Sequence, residues 1–337
     1  MSLKLGVLGI DHGHIFGMLA GMKAQGCTCD SYWTDGHAVT EDKFAQVFPE
    51  LTKVADRRAI LEDASIDMVL ISAVPADRAA LAIEAMEAGK DVMVDKPGCT
   101  TLGQLAAIKA CQARTGRIWS VNFSERFQVP AAAKASELVA AGAIGRVIQV
   151  VTLAPHKQNL KTRPDWYFQR ERYGGILTDI GSHQIDQFLH FTGSTEVEIA
   201  SAHVENTTQP DYPGFQDFGD MTLRGDKGHG YMRLDWFTPD GLPTWGDGRL
   251  FLLGTEGTIE CRKYTDIGQP HRTNNLYLVN GTENVHIDCQ DVELTYFPRL
   301  VADVLDRSET ACPQAHSFLT METAIKAQMK AEGQGDA

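Results

Sequence analysis

The chain has no Cys-x-x-Cys pair and no histidine beside a cysteine at zinc spacing; its seven cysteines, at 27, 29, 99, 111, 261, 289 and 312, are scattered and odd in number. This excludes a disulfide framework and a cysteine-held zinc site, and it fits reduced thiols in a cytosol. No metal is expected. Positive charge is not in excess either: 31 Lys and Arg stand against 44 Asp and Glu, a net charge of −13. Such a chain repels polyanions, which excludes nucleic acid and anionic membrane surfaces as partners. No run approaches the roughly 20 apolar residues of a membrane helix, and a strand pattern opening at Leu5 leaves no room for a signal peptide, so a cytoplasmic chain is expected. Also missing are an internal repeat, a low-complexity segment and the Gly-x-Ser-x-Gly elbow of a serine hydrolase.

What is present is 337 residues, 43% hydrophobic and 22% charged, enough for two ordinary globular domains. Residues 1–124 alternate strands and helices. Leu5-Gly6-Val7-Leu8-Gly9 is a strand ending in glycine, and Ile15 to Ala24 reads as a helix. Cys27 to Trp33 is the second strand, and Asp67 to Ser72 is an apolar run buried on both faces. A helix over Asp77–Ala88, a strand at Asp91–Val94, a helix over Leu102–Arg114 and a strand at Arg117–Val121 complete a doubly wound α/β pattern.

From Arg146 the periodicity changes to that of antiparallel strands: Val147–Leu153, Glu198–Asn206, Phe218–Leu223, Gly230–Phe237, Arg249–Leu253, Thr258–Arg262, and Leu276–Val279 with Val285–Ile287 around an Asn280-Gly281 turn. Residues 125–337 therefore read as an α+β domain with a mostly antiparallel open sheet. Its late helices, Val292–Arg307 and Thr320–Glu332, pack back on the body, and the tail 333–337 frays.

The turn after the first strand is Gly9-Ile10-Asp11-His12-Gly13-His14. A dinucleotide-binding turn is Gly-x-Gly-x-x-Gly, so Asp11 stands in the second glycine place and His14 in the third. Asp11 either competes with pyrophosphate for the helix amides or caps the helix; Gly13 keeps some room, and His12 or His14 offers a donor. Asp35, after the second strand, either accepts hydrogen bonds from a ribose diol, favouring NAD over NADP, or is a loop aspartate.

Two further stretches carry chemistry. Asp95-Lys96-Pro97 follows a strand where an open α/β sheet places its ligands. Gly174-Gly175-x-x-x-Asp179-x-Gly181-x-His183-x-x-Asp186 sets a carboxylate and an imidazole four apart, on one face if the stretch is helical. Such a pair serves proton transfer, though solvated or capped pairs of this kind are common.

With Val121-Asn122-Phe123, Arg126-Phe127, Gly142-Ala143-Ile144-Gly145-Arg146-Val147 and Gly254-Thr255-Glu256-Gly257-Thr258-Ile259, these motifs fall in an order that resembles the Gfo/Idh/MocA oxidoreductases, relatives of glucose-fructose oxidoreductase and inositol dehydrogenase. The resemblance spans nearly the whole chain. It implies a Rossmann domain and a substrate domain, with NAD as cofactor (NADP possible) contacted by the Gly9–His14 turn, Asp35, Pro75, Arg78, Asp95, Lys96 and Asn122. Arg78 occupies a place where the family usually has histidine. Lys96, Asp179 and His183 are the implied catalytic groups. Lys96 bonds the reacting oxygen, His183 moves its proton, and Asp179 binds a neighbouring hydroxyl; Asp186 is a structural helix partner. His156, Trp166 and Arg170 join Lys96, Asp179 and His183 around the substrate. The implied function is an NAD(P)-dependent dehydrogenase or reductase acting on a CH-OH group of a sugar, inositol or related polyol, as a homodimer or homotetramer. The rival reading, motivated by Asp11 and Arg78, is a cofactor-degenerate member that binds sugar or regulates.

Overall fold

The computed structural model describes residues 2–269 and 272–334; positions 335–337 of the expected frayed tail lie outside them. The chain divides into two compact units. The first comprises Met1–Asn122, Glu171–Gly174 and Thr295–Met321, the second Phe123–Arg170, Gly175–Leu294 and Glu322–Ala337.

In the first unit β1 (Lys4–Leu8), α1 (His14–Ala24), β2 (Thr28–Trp33), α2 (Glu41–Val47), β3 (Thr52–Lys53), α3 (Arg58–Leu61), β4 (Met68–Ile71), α4 (Arg78–Glu87), β5 (Asp91–Asp95), α5 (Leu102–Thr115) and β6 (Trp119–Asn122) follow in order. The strands form one sheet, β3-β2-β1-β4-β5-β6, and every pairing is parallel. This is the expected doubly wound Rossmann sheet, whose order reverses between β1 and β4. Met68 to Ile71 and Val92 to Val94 are fully buried, because both faces of a parallel sheet are covered. Gly9 must be glycine: its φ is +76°, and a Cβ there would stand 2.4 Å from the Cβ of Ala73.

The second unit contains α6 (Ser124–Phe127), α7 (Pro130–Ala140), β7 (Val147–Pro155), α8 (Arg170–Tyr173, of which Arg170 alone belongs to this unit), α9 (Ile176–Asp179), α10 (Gly181–Thr192), β8 (Val197–Glu205), β9 (Phe218–Gly225), β10 (His229–Asp235), β11 (Arg249–Gly254), β12 (Gly257–Arg262), β13 (Asn275–Asn280) and β14 (Asn284–Asp288). Its sheet runs β14-β13-β12-β11-β7-β10-β9-β8. All pairings are antiparallel except β10 with β7, so the expected mostly antiparallel sheet is observed. Ile185, Phe188 and Leu189 of α10 are buried with Met221, Met232 and Leu234 of the sheet. The approach is close: a Cβ at Gly181 would lie 2.8 Å from Met221 Cε.

Four details differ from the expectation. The last helices are α11 (Tyr296–Asp306) and α12 (Gln314–Ala331), the second beginning six residues before Thr320. Helix α7 was unforeseen; Pro130 sits at its first position, where a missing N–H costs nothing. The expected hairpin turn sits one residue on: Asn280 N–H donates to the Glu283 carbonyl (2.9 Å), so Gly281-Thr282 are the two central residues, and Asn280 Oδ1 accepts the N–H groups of Thr282 (2.9 Å) and Glu283 (2.8 Å). And α9 and α10 are separate pieces, so the Asp179–His183 stretch is not one helix.

Candidate functional site

The carboxyl edge of the six-stranded sheet collects most of the expected cofactor residues. Gly9 N–H donates to the Trp33 carbonyl (2.7 Å), Ser72 N–H to the Gly9 carbonyl (3.2 Å) and His12 N–H to the Ser72 carbonyl (3.1 Å). The turn after β1 is thereby fixed across the crevice where the strand order reverses. Helix α1 begins at His14 with Gly13 as its N-cap and no side-chain cap. Asp11 therefore does not cap the helix, which removes one of its two readings. A Cβ on Gly13 would meet nothing within 4 Å, so the uncapped helix start opens on free space. The amides of His14, Ile15 and Phe16 donate to His12 Nδ1 (3.5 Å) and to the carbonyls of His12 and Gly13 (both 3.3 Å), so the fit to a dinucleotide rests on the room at Gly13 and the positive end of the helix, which suit a diphosphate.

Asp11 is largely buried, and burial pushes its carboxyl up to about 6; Asp77 and Asp35 add to the rise while Arg78 opposes it. His12 and His14 do not neutralise it. His12 Nδ1 lies 2.8 Å from Asp95 Oδ2 and His14 Nδ1 2.8 Å from Asp95 Oδ1. Burial pushes His12 down to about 3 against the pull of Asp95, so His12 is neutral at physiological pH. Asp95 is fully buried; burial would raise its carboxyl, but His14, Arg78 and His12 hold it well below the usual carboxylate range. Ligand atoms of His12, His14 and Asp95 lie within 4.8 Å of one another, a cluster that could hold a cation. Against that, the Arg78 guanidinium already sits 3.1 Å from the same carboxylate.

Arg78 is completely buried. Its Nε donates to the Ala73 carbonyl (2.7 Å) and its Nη1 to the carbonyls of Asp95 (3.1 Å), Pro97 (3.2 Å) and Lys96. Its part at this edge is to hold the backbone of Asp95-Lys96-Pro97, so its link to a cofactor is indirect. Lys96 is 4% exposed, not a solvated loop lysine. Asn122 pairs with Asp95 in register, Pro75, itself buried, opens a 3-10 turn before α4, Ile10 is buried, and Asp35 stands exposed just past β2.

The second unit carries the proton-transfer pair. Asp179 ends α9, His183 lies in the first turn of α10, and His183 N–H donates to the Ile180 carbonyl (3.2 Å) across the break. Asp179 is 7% and His183 2% exposed, so neither is a solvated surface pair. The ring of Phe123 lies 6.5 Å from that of His183, edge on. Asp186 receives Arg126 through two bonds, 2.7 and 2.6 Å, the expected structural role. His156 packs between Trp236 (5.1 Å) and Trp245 (4.5 Å), and Trp166 lies on a 3-10 turn against Tyr167. Arg170 is held by Glu332, with Nη2 2.9 Å from Oε2; its guanidinium ties the loop to the C-terminal helix instead of standing open to a substrate. Two buried residues carried no signal in the sequence: Glu125 and Lys263, 138 positions apart, form an ion pair at 2.8 Å. The His12–His14–Asp95 cluster was hidden for the same reason.

Residues 34–123 match the model of the oxidoreductase family with an NAD-binding Rossmann fold, and residues 132–260 match that of the GFO/IDH/MocA C-terminal domain. Levoglucosan dehydrogenase of Pseudarthrobacter phenanthrenivorans is 31% identical over 68% of this chain and 57% of its own length. The scyllo-inositol 2-dehydrogenase (NAD(+)) of Bacillus subtilis is 28% identical over 60% of this chain and 57% of its own. The chain thus spans little more than half the length of these relatives. A crystal structure from Erwinia carotovora atroseptica SCRI1043, carrying only the general name oxidoreductase, superposes with a TM-score of 0.94 at 42% identity, covering 98% of both chains. The chain belongs to the Gfo/Idh/MocA family of oxidoreductases.

Proposed function

We propose that the protein is an NAD(P)-dependent dehydrogenase or reductase that interconverts a secondary alcohol and a ketone on a sugar, inositol or related polyol. The observation that carries this reading is the burial of Lys96, Asp179 and His183: a binding or regulatory protein has no use for three costly buried ionisable groups of proton-transfer type. The names of the levoglucosan and scyllo-inositol dehydrogenases support the substrate class.

In this reading the Gly9–His14 turn and the start of α1 would hold the diphosphate, Asp35 the adenosine ribose, and Asp95, Lys96 and Asn122 the nicotinamide side of the cofactor. A bound nicotinamide cofactor would supply the hydride exchange with the carbinol carbon. Lys96 Nζ donates a hydrogen bond to the reacting oxygen and stabilises its developing charge. A ring nitrogen of His183 takes the hydroxyl proton in oxidation and returns it in reduction. The Asp179 carboxylate accepts a hydrogen bond from the adjacent hydroxyl and orients the ring of the substrate. His156 and Trp166 supply flat surfaces beside it.

Absorbance of reduced nicotinamide, followed with NAD and with NADP across sugars, inositols and their acids, tests the reading. One polyol class is expected to react, faster with NAD, and Asp35→Ser is expected to narrow the cofactor gap. The reading fails if calorimetry detects neither nicotinamide cofactor and no polyol is oxidised. The same reading includes a homodimer or homotetramer, supported by Tyr231, Leu253, Val279 and Val285, which leave an apolar surface exposed on the large sheet. Light scattering is expected to give two or four times the 37.0 kDa chain mass; a lone 37.0 kDa species would remove that part.

A further inference from the structure

We propose that Glu125 is a positioning residue for His183: its buried carboxylate, held by Lys263, anchors the first turn of α10 and gives the imidazole a fixed negative neighbour. The inference rests on the proton-transfer role given to His183 above.

Three observations carry it. Glu125 and Lys263 are 3% and 1% exposed, with Lys263 Nζ 2.8 Å from Glu125 Oε2. A buried ion pair is poor value as a stabilising device, since well-packed apolar residues of the same volume often do as well or better. The pair is also not self-contained. Glu125 Oε2 accepts Gln184 Nε2 (3.0 Å), the residue next to His183, and Gln187 Nε2 closes the chain by donating to Gln184 Oε1 (3.1 Å) and to the His183 carbonyl (3.0 Å). Finally, Glu125 Oε1 is buried without a hydrogen-bond partner among the described residues, an arrangement that costs free energy unless the local field uses the charge.

The short helix α6 is the frame for this. Phe123, just before it, faces the His183 ring, Glu125 takes Gln184, and Arg126 takes Asp186, so three residues within a stretch of four grip the first two turns of α10. The backbone of Lys263 is fixed as well, donating to the Gly248 carbonyl and accepting from Asn274, both at 3.0 Å.

The charged and titratable groups around the pair are Lys263, His183 and His156, which outweigh the effect of burial and hold the Glu125 carboxyl well below the usual carboxylate range. Tyr264 also faces it; burial first and Glu125 second push that phenol up. Along α9 and α10 His183 has Asp179 and the Asp186–Arg126 pair, and the proposed reaction adds Lys96. All of these stay constant in the test.

The test is a proton NMR titration of His183 in the full-length protein, its resonance identified by its loss in His183→Asn. Removing the carboxylate in Glu125→Gln leaves Lys263 positive and is expected to shift the His183 titration down by on the order of one pH unit. Lys263→Met leaves the carboxylate alone and is expected to shift it up by a similar amount. If either single variant fails to fold, the neutral pair Glu125→Gln/Lys263→Met is expected to fold and to titrate below wild type, because Gln184 places the carboxylate nearer to α10 than the ammonium. A titration that stays at the wild-type position in the folded variants overturns the proposal, for a purely structural pair would leave it there. Because this readout needs no turnover, it separates the two ideas. Shifts as expected without a matching move in the acid limb of kcat/KM would fail the catalytic role of His183 and leave the positioning role standing.

Discussion

Turnover is expected to fall on the order of 10²–10⁴-fold in His183→Asn and again in Lys96→Met, the range typical of lost general acid or base help, with NAD affinity nearly unchanged. The size follows from burial. His183 is 2% and Lys96 4% exposed, and around side chains so covered water cannot easily replace a missing proton acceptor or a missing donor to the reacting oxygen. The two losses differ in kind. Without His183 the proton has no acceptor, and a small exogenous imidazole would restore part of the rate. Without Lys96 the oxygen loses a fixed positive charge, which nothing diffusible replaces. Asparagine and methionine keep most of the volume, so the fold is retained. Steady-state kinetics with saturating NAD measures both, and turnover within threefold of wild type in either variant would refute its catalytic role.

The second large effect concerns Asp11. A carboxylate whose folded value is raised contributes stability below its unfolded value and loses it as pH rises through the folded one. With burial pushing Asp11 up to about 6 from 3.8, the native state is penalised above pH 6 by about 2–3 kcal/mol. Asp11→Asn is therefore expected to be no more stable than wild type at pH 4 and more stable by that amount at pH 8, read from denaturant midpoints. Cofactor binding extends the argument. At a separation of about 6 Å and an effective dielectric of about 20, a phosphate repels a carboxylate by roughly 3 kcal/mol. Protonating Asp11 at pH 7 costs only about 1.4 kcal/mol, so the carboxyl takes up a proton instead of standing against the phosphate. NAD affinity in the wild type is then expected to weaken nearly tenfold per pH unit between about 6.5 and 8, more steeply at low salt. In Asp11→Asn it is expected to be flat with pH and tighter at pH 8 by up to a hundredfold. Calorimetric titration in buffers of different ionisation enthalpy counts the protons directly. A pH-independent wild type, with no proton uptake, would mean that Asp11 is not near the phosphates.

Much of this was legible in the sequence because it is written locally. The run Met68 to Ile71 shows a strand covered on both faces, and the Gly9 turn, Asp95-Lys96-Pro97 and the Gly174–Asp186 stretch keep fixed spacings that survive in one dimension. What was illegible depends on pairs brought together by the fold. Nothing near His12 tells that its ring rests on Asp95, so it was read as a phosphate donor. Nothing near Arg78 tells that its guanidinium is surrounded by the backbone of residues 95–97. Nothing in the sequence marked Glu125, whose partner Lys263 lies 138 positions away at the end of β12. The break between α9 and α10 escaped for the opposite reason: residues 176–192 have the propensity of one helix, and the interruption falls at Ile180, beside Gly181, which approaches Met221 of β9 closely.

The parallel pairing of β7 with β10 also has a consequence for how the chain comes to be folded. Strand β7 is the first of its sheet to be synthesised, yet both its neighbours, β10 and β11, come later than α9, α10, β8 and β9. It cannot form a hairpin with whatever follows it. Until residue 235 has left the ribosome β7 has two open edges, and until residue 254 it still has one, so the apolar flank of α10 has no complete surface to rest on. Such non-local closure slows folding relative to a meander of the same size, and the waiting strand is a template for wrong pairing. The centre of the large sheet is secured only after the flank of β8 and β9 has been made, and while the chain is still being made the waiting β7 is the part most in need of chaperone protection.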